Sequence, residues 1–181
     1  MEKEDLFENL ETERLILRKI VDTDAEMLYQ NIYNNFEYFK FYYQLPFDSF
    51  EEYKSLVEKY KEYYANGNHF RWGIVLKETN EIIGIVQLHT KDNINNNCKI
   101  GYIISYNYNE KGYGKEAVKK VIDFGFNKLN FHRIDANIVV ENEASIRLAE
   151  SIGMHCESER EDSYKLGEKY YNQKVYTMIN K

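Results

Sequence analysis

The sequence predicts an α/β chain in which an antiparallel β-meander is followed by an alternating α-β-α-β-β tail. Three observations carry this. The stretch from Arg71 to Ser105 holds three strand-like runs separated by polar turns. After Gly114 the apolar pattern changes from a period of two to a helical period. The 181 residues contain one proline, no internal repeat and no linker-like composition. Residues 1–181 therefore read as one domain, long enough to bury its own core.

The elements follow in order. Glu13 to Ile20 alternates as a strand, with Leu15 and Leu17 on one face and Ile16, Arg18 and Ile20 on the other. Asp22 or Asp24 reads as a cap for a helix beginning Ala25-Glu26-Met27-Leu28. An aromatic segment runs from Phe36 to Phe47. Ser49 with Glu52 forms a capping box. The helix it opens shows Phe50, Tyr53, Leu56, Tyr60 and Tyr63 on one stripe, and Asn66-Gly67 ends it. Strands are expected over Arg71–Lys77, Ile82–Thr90 and Cys98–Ser105, forming the meander. Gly114 to Asn127 reads as a helix with Val118, Val121, Ile122, Gly125 and Phe126 on its apolar face. A strand over Arg133–Val140, a helix over Ser145–Ile152 stopped by Gly153, and strands over His155–Asp162 and Asn172–Ile179 complete the chain.

Composition excludes several function classes. Hydrophobic residues make up 43% and charged residues 30%, the balance of a soluble globular chain. No apolar run approaches the roughly 18 residues of a membrane span. The acidic start Met1-Glu2-Lys3-Glu4-Asp5 lacks the order of a signal peptide. Cys98 and Cys156 are too few for a disulfide framework and are read as buried thiols, so a reducing cytoplasm is expected. The net charge of −6 disfavours nucleic acid, because phosphates require a basic face. His69, His89, His132 and His155 show no metal-ligand spacing, so no metal is expected; His89, on a central strand, is the one histidine considered as a base.

The most informative segment lies between the meander and the following helix. Tyr106 to Lys111 leads into Gly112-Tyr113-Gly114, and a helix starts there. Glycines let successive amides converge on one point, and the helix N-terminus adds partial positive charge. This is the chemistry of a pyrophosphate site, with Lys111 and Lys115 at its flanks. Gly112 to Ala117 also fits the dinucleotide pattern G-x-G-x-x-A, with Asp135 about 20 residues on. That motif follows its strand by a tight turn and opens parallel βαβ units. Here a longer connection and an antiparallel meander precede it, so a nicotinamide site is disfavoured.

The runs Ile100-Gly101-Tyr102 and Asn109 to Ala117 resemble the coenzyme A loop of the GCN5-related N-acetyltransferases. Val140 to Leu148 with Ser151-Ile152-Gly153-Met154 resembles that family's second motif. Thr12-Glu13-Arg14-Leu15-Ile16-Leu17-Arg18 resembles the opening strand of its ribosomal-protein branch, which modifies N-terminal amines. The resemblance covers nearly the whole chain. It implies a mixed, mostly antiparallel central sheet flanked by helices and splayed between its fourth and fifth strands, with acetyl-coenzyme A as co-substrate in the splay. It further implies that the backbone of Ile103 and Ile104 lies along the pantetheine arm. Amides from Asn109 through Lys111, Gly112, Tyr113 and Gly114 to Lys115 would hold the pyrophosphate, with the Asn142 side chain nearby.

Acyl transfer to an amine needs a route for the amine proton, a donor for the oxyanion and an acid for the leaving thiolate. Many relatives supply that acid as a tyrosine seven residues after the motif asparagine, a position that is Ala149 here. The ribosomal-protein branch assigns the role to a serine, which makes Ser145 the candidate; its competing reading is a helix-start cap. The branch's glutamate has no identical match: Ser163 falls nearest, and Asp162 beside it is the candidate base. The expected partner is an amine acceptor, either a small molecule such as a polyamine or a protein N-terminus, and a homodimer fits the family. An aromatic and acidic wall from Tyr38, Phe39, Phe41, Tyr42 and Tyr43 with Glu37, Glu51 and Glu52 would suit a cationic amine. The missing tyrosine and glutamate also fit an acetyl-coenzyme A-binding sensor without catalysis.

Overall fold

The computed structural model describes residues 6–33, 41, 47–65 and 70–181. They form one eight-stranded sheet in the order β1-β2-β3-β4-β5-β6-β8-β7. The strands are β1 Leu10–Glu11, β2 Leu15–Arg18, β3 Phe70–Leu76, β4 Ile82–Asp92, β5 Asn97–Ile104, β6 Arg133–Val139, β7 His155–Leu166 and β8 Lys169–Ile179. The helices are α1 Ala25–Leu28, α2 Phe50–Ala65, α3 Tyr113–Asn127 and α4 Glu143–Ser151. Every neighbouring pair is antiparallel except β5 and β6, which the α3 crossover makes parallel.

The period-two alternation of the strands divides the apolar residues between two faces. Leu15, Leu17, Trp72, Ile74, Val86, Leu88 and Ile100 join the core under α3, with Ala117, Val118, Val121 and Ile122 from that helix. Ile20, Val75, Ile82, Ile85 and Ile103 join the second core, with Leu28 from α1 and Tyr53, Val57, Tyr60 and Tyr64 from α2. The buried stripe of α2 thus includes Val57 and Tyr64, while Phe50, Leu56 and Tyr63 lie at its margin. The Tyr64 hydroxyl accepts the Ile20 N–H at 3.1 Å and donates to the Arg71 carbonyl at 2.9 Å, tying α2 to β3.

Several elements differ from the sequence reading. The short β1 was not expected, and it adds one to the strand count. The splay accordingly falls between the fifth and sixth strands, which are the same two chain segments. Asp24 is the N-cap residue of α1 but makes no side-chain cap bond to that helix; its carboxylate accepts the Val21 N–H at 2.9 Å, at the start of the preceding 3₁₀ turn, and pairs with Arg18 at 2.7 Å. The Ser49 hydroxyl accepts the Glu52 N–H at 3.2 Å, but the Glu52 carboxylate reaches back to the Asp48 N–H at 3.0 Å. The last two strands extend to the turn between Leu166 and Lys169. Cys98 is buried as expected; Cys156 is exposed, because β7 is an edge strand with a solvated face. Asn66-Gly67, His69, Glu37 and most of the segment from Phe36 to Pro46 lie outside the described residues.

β5 pairs with β6 only over Asn97–Lys99, opposite Arg133–Asp135. On its other side it pairs with β4 as far as Ile104, opposite Gly84. A Cβ at Gly84 would overlap the Ile103 carbonyl oxygen and come within 3.1 Å of the Ile104 Cα. Both obstacles are backbone, so no rotamer change relieves them. Gly84→Ala is expected to lower the unfolding free energy by about 1–3 kcal/mol in urea denaturation.

Candidate active site

The loop after β5 is built for close approach. A turn of 3₁₀ helix over Tyr106–Tyr108 is followed by extended Asn109, then by Glu110 at φ +60°. Gly112 at φ +82° is left-handed, a conformation that glycine adopts without a Cβ penalty. No side chain caps α3, so the partial positive charge of its first turn faces the opening. A cavity of about 850 Å³ lies there. Ile103, Ile104, Asn109, Gly112, Tyr113, Gly114 and Lys115 line one side of it, and Asn142 and Ser145 line the other. Lys111 does not line it: its ammonium sits 5.1 Å from the Tyr108 ring centroid, and its carbonyl accepts Arg14 Nη1 at 3.0 Å. Asp162 lines neither this cavity nor the second; it is exposed at an irregularity in β7, and its N–H donates to Asn172 Oδ1 at 3.0 Å.

The N-terminal segment clamps this loop. Glu116 in the first turn of α3 accepts from Thr12 Oγ1 at 2.5 Å, from the Arg14 N–H at 2.9 Å and from Arg14 Nε at 2.7 Å. The Arg14 guanidinium lies 4.4 Å from the Tyr113 ring centroid. Burial opposes the Glu116 charge, but the bonds from Thr12 and Arg14 outweigh it and hold the carboxyl below its ordinary 4.5. Tyr108 adds a further tie, donating to Glu81 Oε2 at 2.6 Å.

A second cavity, of about 450 Å³, occupies the splay itself. Gly101 and Tyr102 of β5 and Ala136 to Val139 of β6 form two of its walls, and Arg71, Gln87, His89 and Lys99 rise from the sheet. Phe41, Tyr102, Asn142 and Ser145 line both cavities, so the two spaces meet at these side chains. Asn142 is the cap of α4: its Oδ1 accepts the Ser145 N–H at 3.2 Å. The helix starts at Glu143, earlier than the sequence suggested, and the capping role falls to Asn142 rather than to the Ser145 hydroxyl. The Tyr102 ring is half-buried, and its hydroxyl is buried with no partner of hydrogen-bond geometry. Burial pushes its pKa up to about 12, with Ser145 moderating the shift. His89 is pushed down to about 4, first by burial and then by the charges of Lys99 and Arg71. Glu51 and Glu52 line neither cavity, so among the described residues the acidic wall expected from the sequence is absent. No group of three or more His, Cys, Asp or Glu among the described residues is placed to hold a metal ion.

Sequence reasoning missed Tyr102 and the Arg14–Glu116 clamp. Both sit inside segments that carried the family resemblance, but their partners are distant in sequence and only the fold joins them.

The sheet thus parts beside an uncapped helix N-terminus, with one cavity at that N-terminus and a second in the splay that meets it. Residues 14–155 match the family described as "Acetyltransferase (GNAT) domain". The N-acetyltransferase YoaA of Bacillus subtilis is 33% identical over 175 residues, covering 96% of this chain and 98% of its own. The N-acetyltransferase p20 of Bacillus licheniformis is 36% identical over 150 residues, covering 83% and 84%. The crystal structure of a GNAT-family acetyltransferase from Bacillus anthracis superposes with a TM-score of 0.84 at 25% identity, covering 95% of this chain and 98% of that one. The chain belongs to the GNAT acetyltransferase family, and is an acetyl-coenzyme A-dependent acyltransferase.

Glu116→Gln should loosen the clamp and destabilise the fold by about 1.5–3 kcal/mol at neutral pH, the range for bonds to a charged group. A depressed carboxyl pKa stabilises the native state above the unfolded value and loses that contribution as pH falls through the folded one. The wild-type advantage over the variant should therefore persist above about pH 5 and shrink on acidification below the ordinary 4.5, as followed by thermal melts across pH.

Proposed function

We propose that residues 1–181 act as a single N-acetyltransferase domain that moves the acetyl group of acetyl-coenzyme A directly to a primary amine. The observation that carries this is the meeting of the two cavities at Tyr102, Asn142 and Ser145. The coenzyme's pyrophosphate fits the amides from Asn109 to Lys115. Its extended arm fits the backbone of Ile103 and Ile104, where the ladder to β6 has ended. The thioester then reaches the junction, and an amine in the splay attacks it in line. Binding both partners supplies much of the rate through proximity.

In this reading Ser145 and Tyr102 supply protons at the junction. As the C–S bond breaks, its electron pair goes to sulfur, which takes a proton from one of the two hydroxyls. The attacking nitrogen gives up one proton, which returns to the donor hydroxyl directly or through water and restores it. Tyr102 stays protonated across the physiological range, because burial holds its pKa near 12. His89 is neutral there and offers a ring nitrogen that passes a proton to water; with a pKa of about 4 it does not store one. Its Nδ1 lies 2.9 Å from Thr90 Oγ1.

The acceptor can be a protein N-terminus, a polyamine or another small amine. A relative named spermidine N(1)-acetyltransferase, from Vibrio cholerae, is 25% identical over 93% of this chain. One observation favours a second reading, a coenzyme-binding sensor: no carboxylate among the described residues lines the splay, and Asp162 stands away from it. An enzyme will both shift its melting temperature with acetyl-coenzyme A and release thiol when an amine is added. A sensor will do only the first. In the enzyme, Ser145→Ala and Tyr102→Phe should each lower kcat by about 10²-fold or more while keeping the melting shift. Unchanged kcat in both at saturating substrates would remove the proton-donor roles.

A further inference from the structure

We propose that Arg14 and Glu116 are positioning residues for the coenzyme: as a pair, they aim the amides of Gly112-Tyr113-Gly114 at its pyrophosphate. This rests on the transfer reading above and deepens it at the coenzyme site.

Neither residue lines the two cavities, so their effect on a ligand passes through the turn they hold. Arg14 Nη1 donates to the Lys111 carbonyl at 3.0 Å, and Arg14 Nε donates to Glu116 Oε2 at 2.7 Å. Arg14 Nη2 lies 2.7 Å from the same carboxylate oxygen. One planar guanidinium therefore spans the turn, from the residue before Gly112 to the first turn of α3. Its face also covers the Tyr113 ring. Glu116 fixes Arg14 in return, accepting the Arg14 N–H at 2.9 Å and the Thr12 hydroxyl at 2.5 Å. The direction of the Lys111 carbonyl matters because a trans peptide is planar. Turning that carbonyl toward Arg14 turns the Gly112 N–H the other way, and Gly112 lines the larger cavity. Glycine at φ +82° gives this peptide little preference of its own, so the bond from Arg14 selects one orientation.

The sign of Glu116 makes the case sharper. A carboxylate in the first turn of a helix that receives a pyrophosphate has the wrong charge for the ligand. By charge alone it would weaken binding. The fold turns it instead onto Thr12 and Arg14, where the guanidinium matches its charge. No side chain caps α3, so the amides at the helix start stay open. The two side chains work as a unit. Arg14 without Glu116 loses the acceptor that orients its fork, and Glu116 without Arg14 leaves an uncompensated anion beside the site.

Calorimetry with coenzyme A on the full chain tests this, with each variant held well below its melting temperature. Positioning and bare charge predict opposite results. Glu116→Gln removes a negative charge beside a dianionic group, so charge alone predicts tighter binding. Positioning predicts binding about tenfold weaker. Arg14→Lys keeps the cation, so charge alone predicts no change. Positioning predicts a similar loss, because an ammonium cannot span the turn as a fork does. The double variant should lose no more than the weaker-binding single one, the mark of two residues acting together. In turnover, KM for acetyl-coenzyme A should rise more than kcat falls. Unchanged or tighter coenzyme binding in Glu116→Gln, or unchanged binding in Arg14→Lys, overturns the proposal. If Glu116→Gln does not fold, Arg14→Lys decides it alone. Weaker coenzyme binding in the variants, with no thiol released by the wild type from any amine, would uphold positioning and count against transfer. Thiol release by the wild type with unchanged coenzyme affinity in the variants would do the reverse.

Discussion

The constraint on which the rest of the structure depends is the early end of the parallel pairing between β5 and β6. They share a ladder over Asn97–Lys99 and then part. β6 stays bound to β8 along its whole length, from Arg133 opposite Ile179 to Val139 opposite Gln173. β5 stays bound to β4 as far as Ile104. Each strand is thus fully held on one side and released on the other. Both walls of the opening are rigid, and the gap is a property of the sheet rather than of a loop. Buried polar backbone normally demands a partner. A splay in a sheet core therefore leaves strand backbone open to a ligand that brings its own hydrogen-bonding groups.

The loop in turn depends on chain that lies far away in sequence. Thr12 and Arg14 reach Glu116 across roughly a hundred residues, and Arg14 also holds the Lys111 carbonyl and covers Tyr113. Positive φ at Glu110 and Gly112 leaves this turn with little regular bonding of its own. A carboxylate bonded to a hydroxyl, an amide and a guanidinium supplies what the turn lacks, because charge-assisted bonds are the stronger kind. The opening strand motif and the glycine loop are accordingly one functional unit separated only by chain order.

Strand and helix periods were readable because each element buries a face, and burial imposes its period on the residues. The meander, α3, β6 and α4 could be placed from their apolar residues alone. The short β1 could not, since two residues carry no period. The stripe on α2 drifted because tyrosines occupy both its centre and its margin: Tyr60 and Tyr64 are buried, while Tyr63 is only partly so. The turn after β5 was legible because glycine at a left-handed position has a local physical cause. Catalytic groups were not. Tyr102 becomes a candidate only when β5, α4 and the end of the ladder bring its hydroxyl to Ser145. Asp162 was placed by counting residues along a strand, but β7 is an edge strand exposed from His155 to Ser163, and Asp162 lies on that exposed stretch.

The chain carries a net charge of −6, and a field of that sign draws cations from a distance. Much of that charge sits on exposed carboxylates such as Glu51 and Glu143, where salt screens it beyond a Debye length of about 8 Å. The cations in the splay stand on a half-buried sheet face, where screening is weaker and each charge counts for more. His89 is pushed down first by burial and then by the nearby charges of Lys99 and Arg71, although the protein as a whole is an anion. Net charge governs how a protein repels its own kind and draws partners from a distance. What a cavity of about 450 Å³ accepts is set by the few groups that face into it.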